Sequence, residues 1–175
     1  MKIPFNPTTN KIGGSFAWAQ DPFITAIEDQ YNAGKPVRII VLKARQLGFS
    51  TITEGVIFNW LFIHPGTHAL VLAHETDVSE ELFHKTKHYW ETWPFNKAFH
   101  LQYSTKSNIR VLETGSQLKI ATAQNRMSGR GHTIHAAHLS EVAFYPDPKS
   151  LMGGLNSSVP NEHGSIMIQI GRAHV

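Results

Sequence analysis

The sequence predicts an α/β domain in which helices flank a mainly parallel central sheet. Short apolar, β-branched runs such as 37–42 and 67–73 are typical of strands that are buried on both faces. They alternate with longer segments whose apolar residues suit a buried helix, such as 50–63. With 175 residues, of which 41% are hydrophobic and 17% charged, the chain can form one packed core and is not of the disordered class.

The first predicted helix begins at Asp21, a favourable N-cap residue, with Pro22 in the first turn. It ends before residues 33–36, which contain a glycine and a proline. Residues 1–15 are rich in Pro, Asn, Thr and Gly, and we expect them to form an N-terminal arm.

The second half of the chain continues the alternation. Ser79 is predicted as the N-cap of a helix that runs to about Trp90. The runs 109–113 and 117–122 flank a turn and predict a hairpin, and further strands are predicted at 133–139 and 165–168. Strands that alternate with helices favour parallel pairing, so we expect one antiparallel addition to an otherwise parallel sheet.

Composition limits the possible classes of function. The chain has no cysteine, which excludes disulfides and thiolate metal sites. Its longest apolar runs, 37–42 and 56–63, fall far short of the roughly 20 residues that a membrane span needs, and we expect no membrane contact. The net charge of +3 is spread along the chain, so it permits nucleic-acid binding without indicating it.

A candidate phosphate-binding loop lies between the predicted strand 37–42 and the predicted helix 50–63. Its residues are Lys43, Ala44, Arg45, Gln46, Leu47, Gly48, Phe49, Ser50 and Thr51. The standard pattern is G-x-x-x-x-G-K-[ST]. This loop keeps the second glycine and the hydroxyl, but Phe49 occupies the place of the lysine, and the first glycine position holds Lys43.

The chemistry of a phosphate loop remains possible with the lysine at the front. Backbone N–H groups at the start of the helix can hold phosphates, and Ser50 can hold Mg²⁺. Thr51 can contact a nearer phosphate, while Lys43 and Arg45 supply positive charge. The alternative is a buried strand that turns into a helix through Gly48, with no ligand.

At these residues the sequence resembles the Walker A segment of phage terminase large subunits, the motors that pump DNA into procapsids. Some members of that family also place the lysine at the front of the loop, and the resemblance extends over most of 16–169. It implies an ASCE-type P-loop ATPase core that uses ATP and Mg²⁺. It also implies double-stranded DNA, a portal protein and a small terminase subunit as partners, a homo-oligomeric ring, and action at the procapsid in the bacterial cytoplasm.

Glu141 is the predicted catalytic carboxylate. It follows the apolar run 134–139, and an ATPase needs a carboxylate to orient or deprotonate the attacking water. Ser140 stands where the usual motif has Asp, so we expect it to reach Mg²⁺ through water. Related terminases share this Ser-Glu variant. The alternative is a half-buried strand that ends in a surface glutamate.

Two further residues are assigned through the resemblance. Arg130, between two glycines, is the candidate arginine finger for a neighbouring subunit's ATP, with Arg45 as its rival and a surface turn arginine as the alternative. Gln20, with Trp18 nearby, is a candidate for recognising adenine; the simpler alternative is a polar residue that precedes a helix cap. The segment 73–77 follows the second predicted strand, the place where related motors have a segment that is thought to sense DNA or nucleotide.

The histidines raise the question of a structural metal. His132, His135 and His138 are spaced by three, and His84 and His88 by four. A strand places residues 135 and 138 on opposite faces, and the helical pair lacks the glutamate of H-E-x-x-H. We therefore expect no structural metal.

The last six residues, 170–175, resemble a translated sequencing-library adapter. We therefore expect the ATPase domain to span 16–169 and to be incomplete at its C-terminal end, with the natural chain continuing past Gln169 and the nuclease domain not present in this chain. Two other functions stay open. One is another P-loop, nucleic-acid-dependent ATPase or helicase, which would share the core; the other is a non-catalytic virion-associated module with a degenerate loop, which would not bind ATP.

Overall fold

The computed structural model describes residues 21–43, 47–105, 107–124 and 133–172 of the chain. The helices are α1 (Asp21–Asn32), α2 (Phe49–Ile63), α3 (Thr76–Thr92) and α4 (Pro148–Ser158). The strands are β1 (Val37–Lys43), β2 (His68–Ala73), β3 (Leu101–Thr105), β4 (Asn108–Val111), β5 (Gln117–Thr122), β6 (Ala136–Leu139) and β7 (Ile166–Arg172). Short 3-10 turns lie at Asn96–Ala98 and Val142–Phe144.

The described strands form one seven-stranded sheet in the order β1-β7-β6-β2-β5-β4-β3. Strands β1, β7, β6, β2 and β5 are parallel to their neighbours, whereas β4 pairs antiparallel with both β5 and β3. The predicted α/β class with a mainly parallel sheet is therefore confirmed. The antiparallel part is larger than predicted, because β3 extends the hairpin of β4 and β5.

Helices cover both faces of the sheet. Helices α1, α2 and α3 pack on one face around Ile57, Leu61 and Val71, and α4 packs on the other face around Leu139 and Leu155. Helix α2 connects β1 to β2, and α4 connects β6 back to β7. These two connections run in opposite directions along the sheet, and right-handed crossovers then put their helices on opposite faces.

Helix α2 is apolar on nearly all sides because it is enclosed. Its buried residues include Phe49, Ile57, Trp60 and Leu61, which face both the sheet and the neighbouring helices. A helix that is hydrophobic all round is typical of such a central position. This helix therefore has little freedom to shift relative to the strands that it covers.

Three predicted boundaries need correction. Ser79 is not an N-cap: α3 begins at Thr76, and the Ser79 N–H already donates to the Glu75 carbonyl at 3.1 Å inside the first turn. Strand β6 begins at Ala136, three residues later than expected, and β7 continues to Arg172 instead of ending near 168.

Helix α4 was not predicted, although its start carries a recognisable signal. Asp147 accepts a hydrogen bond from the Ser150 N–H at 3.1 Å, and Pro148 occupies the first turn. This combination of N-cap and proline is the same one that located α1. The predicted arm 1–15 lies outside the described residues, as do 173–175.

No helix within the described ranges has both the length and the apolarity needed to cross a bilayer.

Candidate nucleotide site at the carboxyl edge of the sheet

A cavity of about 610 Å³ lies where the parallel strands end. Strands β2, β5 and β6 are parallel, so the segments that follow them emerge at one edge of the sheet. This edge is where open α/β sheets bind ligands. The lining includes Ser50, His74, Lys85, Ser140, Glu141 and Phe144.

The start of α2 provides backbone donors at this edge. Gly48 is the N-cap residue, in the left-handed region with φ of 71°, and as a glycine it has no side chain with which to cap the helix. Glycine suits this position because other residues rarely adopt a positive φ. The first N–H groups of a helix have no partner within the helix and carry partial positive charge. The N-terminus of α2 thus has the character of an anion site.

The side chain of Phe49 does not face the cavity. It is 7% exposed and meets Phe23 of α1 edge-on, with ring centroids 5.6 Å apart. The residue in the place of the standard lysine therefore anchors α2 against α1. Ser50 lines the cavity, Thr51 is exposed, and Leu47 is 38% exposed.

Lys43 and Glu141 form an ion pair beside this helix. The Lys43 Nζ lies 3.3 Å from the Glu141 Oε1, and the two side chains are 10% and 22% exposed. The residues are 98 positions apart in sequence. Lys43 ends β1, and Glu141 follows β6, so the Lys43 side chain spans the intervening strand β7. The structure thus brings together the two predicted groups of opposite charge.

Glu141 has an unusual backbone conformation. Its φ of 57° and ψ of 48° are left-handed, and no other non-glycine residue among those described has a positive φ. Such a residue costs about 1–2 kcal/mol, and strain of this kind is concentrated at functional sites. The Leu72 carbonyl accepts hydrogen bonds from the Ser140 N–H at 2.8 Å and the Tyr145 hydroxyl at 3.0 Å. These two bonds fix the segment on either side of Glu141.

Tyr145 anchors the segment around Glu141 in the core. It is 5% exposed, and burial raises the pKa of its hydroxyl, as does the negative charge of Glu141. The hydroxyl therefore remains a hydrogen-bond donor over the whole physiological pH range. Ser140 is 2% exposed and lines the cavity between this anchor and Glu141.

The oxygens at this edge suit magnesium. Ser50, Ser140 and Glu141 line the same cavity, and their side chains carry hydroxyl and carboxylate oxygens. Mg²⁺ prefers oxygen ligands and keeps several waters alongside substrate phosphates. The described residues contain no group of three or more His, Cys, Asp or Glu side chains that could hold a metal. A magnesium ion here would thus depend on hydroxyls, water and the phosphates of a nucleotide.

Five predicted residues lie outside the described ranges: Gln20, Ala44, Arg45, Gln46 and Arg130. Two residues of the segment 73–77, His74 and Glu75, line the cavity, and the His74 ring lies against Phe144 at 5.5 Å. Phe144 and Lys85 were not predicted as site residues. A signal for Phe144 existed, since it follows Glu141 by only three residues.

The histidines that were considered for a metal have separate surroundings. His138 is wholly buried and pairs with Glu54, whereas the His135 Nδ1 accepts a hydrogen bond from the His68 N–H at 3.1 Å. His84 and His88 belong to α3, and His132 lies outside the described residues.

A second cavity, of about 190 Å³, lies at the opposite, amino edge of the sheet. His64, His135, Glu162 and His163 are among its lining residues. Burial lowers the pKa of His64, and the charge of His163 lowers it further. Burial and the charge of His68 lower the pKa of His135, partly offset by Glu162. The amino edge therefore favours neutral imidazoles.

Comparison with known proteins adds evidence on the fold. No protein-family model and no curated protein matches the chain. The large terminase ATPase domain of Thermus phage P74-26 aligns with a TM-score of 0.57 and 18% identity, over 89% of this chain and 70% of that one. An arginine-to-alanine mutant of that domain aligns with the same TM-score and identity, over 86% and 68%.

The large terminase of bacteriophage HK97 aligns with a TM-score of 0.70 and 19% identity over 89% of this chain. The alignment covers 33% of the HK97 protein, so this chain spans about a third of that length. The expected P-loop type of α/β core is consistent with these matches and with the sheet order. The chain therefore has the fold of phage large terminase ATPase domains.

Proposed function

We propose that this chain is the ATP-hydrolysing motor domain of a viral terminase large subunit, which drives DNA into procapsids. The observation that carries the proposal is the Lys43–Glu141 ion pair, 3.3 Å long, beside the uncapped N-terminus of α2. The fold similarity to phage terminases supports the choice of motor over other nucleotide-binding proteins. The ATPase domain would correspond to residues 16–169.

In this proposal the phosphates of ATP lie against the first turn of α2. The backbone N–H groups there donate to phosphate oxygens, and Ser50 and Thr51 add hydroxyls. Ser50 would hold Mg²⁺ directly and Ser140 through water. A bound Mg²⁺ supplies positive charge that neutralises the developing charge on the γ-phosphate.

Glu141 acts on the attacking water. Its carboxylate orients the water and accepts its proton as the bond between the water oxygen and the γ-phosphorus forms. The bond from that phosphorus to the β–γ bridging oxygen breaks in the same step, and ADP leaves. Without nucleotide, Lys43 holds this carboxylate. A triphosphate carries more negative charge than one carboxylate, so it competes for Lys43 and frees Glu141. Lys43 would then serve the phosphates from the front of the loop, and hydrolysis would depend on its transfer.

Residues 20, 44–46 and 130 complete the proposed site. Gln20 would recognise adenine, and the loop residues Ala44, Arg45 and Gln46 would continue the phosphate cradle. Arg130 would act as the arginine finger on a neighbouring subunit's ATP, which requires a homo-oligomeric ring. Double-stranded DNA, a portal protein and a small terminase subunit would be partners at the procapsid in the bacterial cytoplasm.

The test is DNA-stimulated ATP hydrolysis by the full chain. Glu141→Gln removes the base and should lower kcat by about 100- to 10,000-fold, with ATP binding retained. Lys43→Ala should weaken ATP binding and lower turnover as well. Lys87→Ala is the matched control, because Lys87 is a 51% exposed lysine on α3 outside the cavity lining. Unchanged hydrolysis in both site variants would refute the proposal, and an absence of ATP binding would favour a non-catalytic virion-associated module.

A further inference from the structure

A buried network of polar side chains lies beneath the proposed site. Glu54 of α2 and His138 of β6 are both 0% exposed, and the His138 Nδ1 lies 2.9 Å from the Glu54 Oε2. The Thr86 hydroxyl of α3 donates to the other carboxylate oxygen, Oε1, at 2.7 Å. No other ion pair among the described residues has both side chains at 0% exposure.

The proton of this network is best assigned to the His138 Nδ1. Within the described part of the chain, the His138 Nε2 has no hydrogen-bond partner, so the Nδ1–H tautomer satisfies the ring's donor. The Glu54 carboxylate then accepts one bond from His138 and one from Thr86. A buried carboxylate needs such donors, because an unpaired charge in the core is strongly destabilising.

The network joins three elements of the proposed site. Glu54 lies one helical turn after Ser50, and His138 lies three residues before Glu141. Thr86 directly follows Lys85, which lines the cavity. The Glu54 carboxylate of α2 thus bonds to a side chain of β6 and to a side chain of α3. The three elements cannot shift relative to one another without breaking one of these hydrogen bonds.

A second contact between α3 and α2 reinforces this arrangement. The Tyr89 hydroxyl donates to the Thr51 carbonyl at 2.8 Å in the first turn of α2. Burial and, secondarily, the negative charge of Glu54 raise the pKa of Tyr89 to about 12, so the hydroxyl keeps its proton. The first turn of α2 is therefore held through its backbone as well as through Glu54.

Stability alone does not require this network. Well-packed apolar residues of similar volume commonly replace both partners of a buried charged or hydrogen-bonded pair with no loss of stability. What an apolar pair does not provide is a fixed distance, since a hydrogen bond is directional and dispersion contacts are not.

We propose that Glu54 and His138 are positioning residues that fix the first turn of α2 relative to the end of β6. They would set the distance between Ser50, which binds Mg²⁺ and phosphate, and Glu141, which acts on the water. This inference rests on the proposed ATPase function, because that function gives Ser50 and Glu141 their roles. The positioning itself is a property of the nucleotide-free protein.

The decisive variant replaces both residues with leucine, as Glu54→Leu with His138→Leu. It leaves no unpaired charge, so we expect its melting temperature to stay close to that of the wild type. Amide hydrogen exchange should be faster by about tenfold at the hydrogen-bonded N–H groups of two segments, Ile52 at the start of α2 and Ser140, Phe144 and Tyr145 after β6, since local opening there becomes easier. In ATP hydrolysis, kcat should fall by up to about 100-fold, the cost of a misplacement of 1 Å, while KM changes little.

Two other variants separate positioning from general packing. His138→Asn keeps a donor near the position of Nδ1, so its kcat should stay much closer to that of the wild type than the kcat of the double-leucine variant. Ile109→Ala removes a buried side chain of β4, in the antiparallel part of the sheet. It should lower the melting temperature without changing exchange in the two segments or kcat.

Two results for the double-leucine variant would contradict the inference. Wild-type exchange in both segments of the double-leucine variant overturns the inference, as does unchanged kcat in an active enzyme despite faster exchange. If the wild-type chain does not hydrolyse ATP, the proposed function fails, and the exchange measurement still decides whether the pair positions the two segments.

Discussion

The two edges of the parallel sheet are built from the same strands but differ in chemistry. At the carboxyl edge a lysine and a glutamate pair beside an uncapped helix, and Glu141 has a left-handed backbone. At the amino edge, glycines provide the positive φ values at 66 and 164, and the Trp60 Nε1–H donates to the Gly164 carbonyl at 2.9 Å. The carboxyl edge contains strain and charge, whereas the amino edge has relaxed turns and imidazoles that favour the neutral form.

This difference shows that the conformation that lowers the stability of the fold lies at the carboxyl edge. A residue in the left-handed region is inexpensive when it is glycine and costly when it is glutamate. A positive φ at Gly164 therefore marks a turn that serves the fold, whereas a positive φ at Glu141 marks a turn that presents a carboxylate. Substitutions at these two positions test the comparison directly.

The largest expected effect is at the carboxyl edge. Glu141→Gly should reduce ATP turnover by about 100- to 10,000-fold because the general base is lost. The free energy of unfolding should stay within about 1 kcal/mol of the wild type, since relief of the left-handed strain offsets loss of a partly exposed ion pair. Turnover assays and urea unfolding measure the two quantities. A large loss of stability would mean that Glu141 holds the fold together.

The reciprocal substitution is at the amino edge. Gly164 has φ of 88°, and an added Cβ would meet no atom within 4 Å, so Gly164→Ala introduces backbone strain without a clash. The free energy of unfolding should fall by about 1–2 kcal/mol, and ATP turnover should not change. Reduced turnover in the folded variant would show that the two edges are coupled.

The histidines of the amino edge predict a dependence of stability on pH. The pKa values of His64 and His135 lie below their ordinary 6.5 in the folded protein. As the pH falls below 6.5, the unfolded chain therefore binds more protons than the folded protein. The stabilisation that these histidines contribute is complete above pH 6.5, and it is lost as the pH falls through their pKa values in the folded protein. Urea unfolding from pH 7.5 to 5.5 measures this loss. The double variant His64→Gln with His135→Gln should show a shallower dependence, and an equally steep one would exclude these two histidines as the cause.

The smallest expected effect is at the α3 side of the carboxyl cavity. Lys85 lines the cavity and pairs with Glu81 at 2.6 Å, one turn away on the same helix. Lys85→Ala should reduce the free energy of unfolding by only about 0.3–0.5 kcal/mol, as for other exposed i, i+4 pairs. If ATP turnover fell as far as in Lys43→Ala, Lys85 would belong to the nucleotide site, and that site would extend further towards α3 than proposed.

The periodicity of apolar residues was sufficient to predict the helices and strands in which that pattern is continuous. The run 37–42, the helix 50–63 and the hairpin around 114–116 all correspond to elements of the structure. Strand β3 and helix α4 were missed because neither has a long apolar period; α4, for example, contains two glycines and three serines. Ser79 was misassigned because a serine inside a first turn looks the same in sequence as a serine that caps it.

The candidate site divides in the same way. Local pattern was enough to place Gly48, Ser50 and Glu141 next to the ends of regular elements, since each follows or precedes such an element within a few residues. Local pattern could not indicate that Phe49 packs against Phe23, because both a core position and a phosphate loop accept that residue. Nor could it reveal the left-handed backbone of Glu141, which hydrogen bonds to Leu72 stabilise from a neighbouring strand.

By itself, the sequence determined the α/β class, the order of most strands and helices, and the residues at the ends of β1 and β6, because these depend on short-range periodicity. Only the tertiary structure decided which polar groups meet. Lys43 reaches Glu141 across 98 positions, and Glu54 reaches His138 across 84. Both pairings arise because the sheet order and the packing of α2 bring distant segments together. Around Glu54 and His138, which are both 0% exposed, the exclusion of water makes each partner necessary to the other.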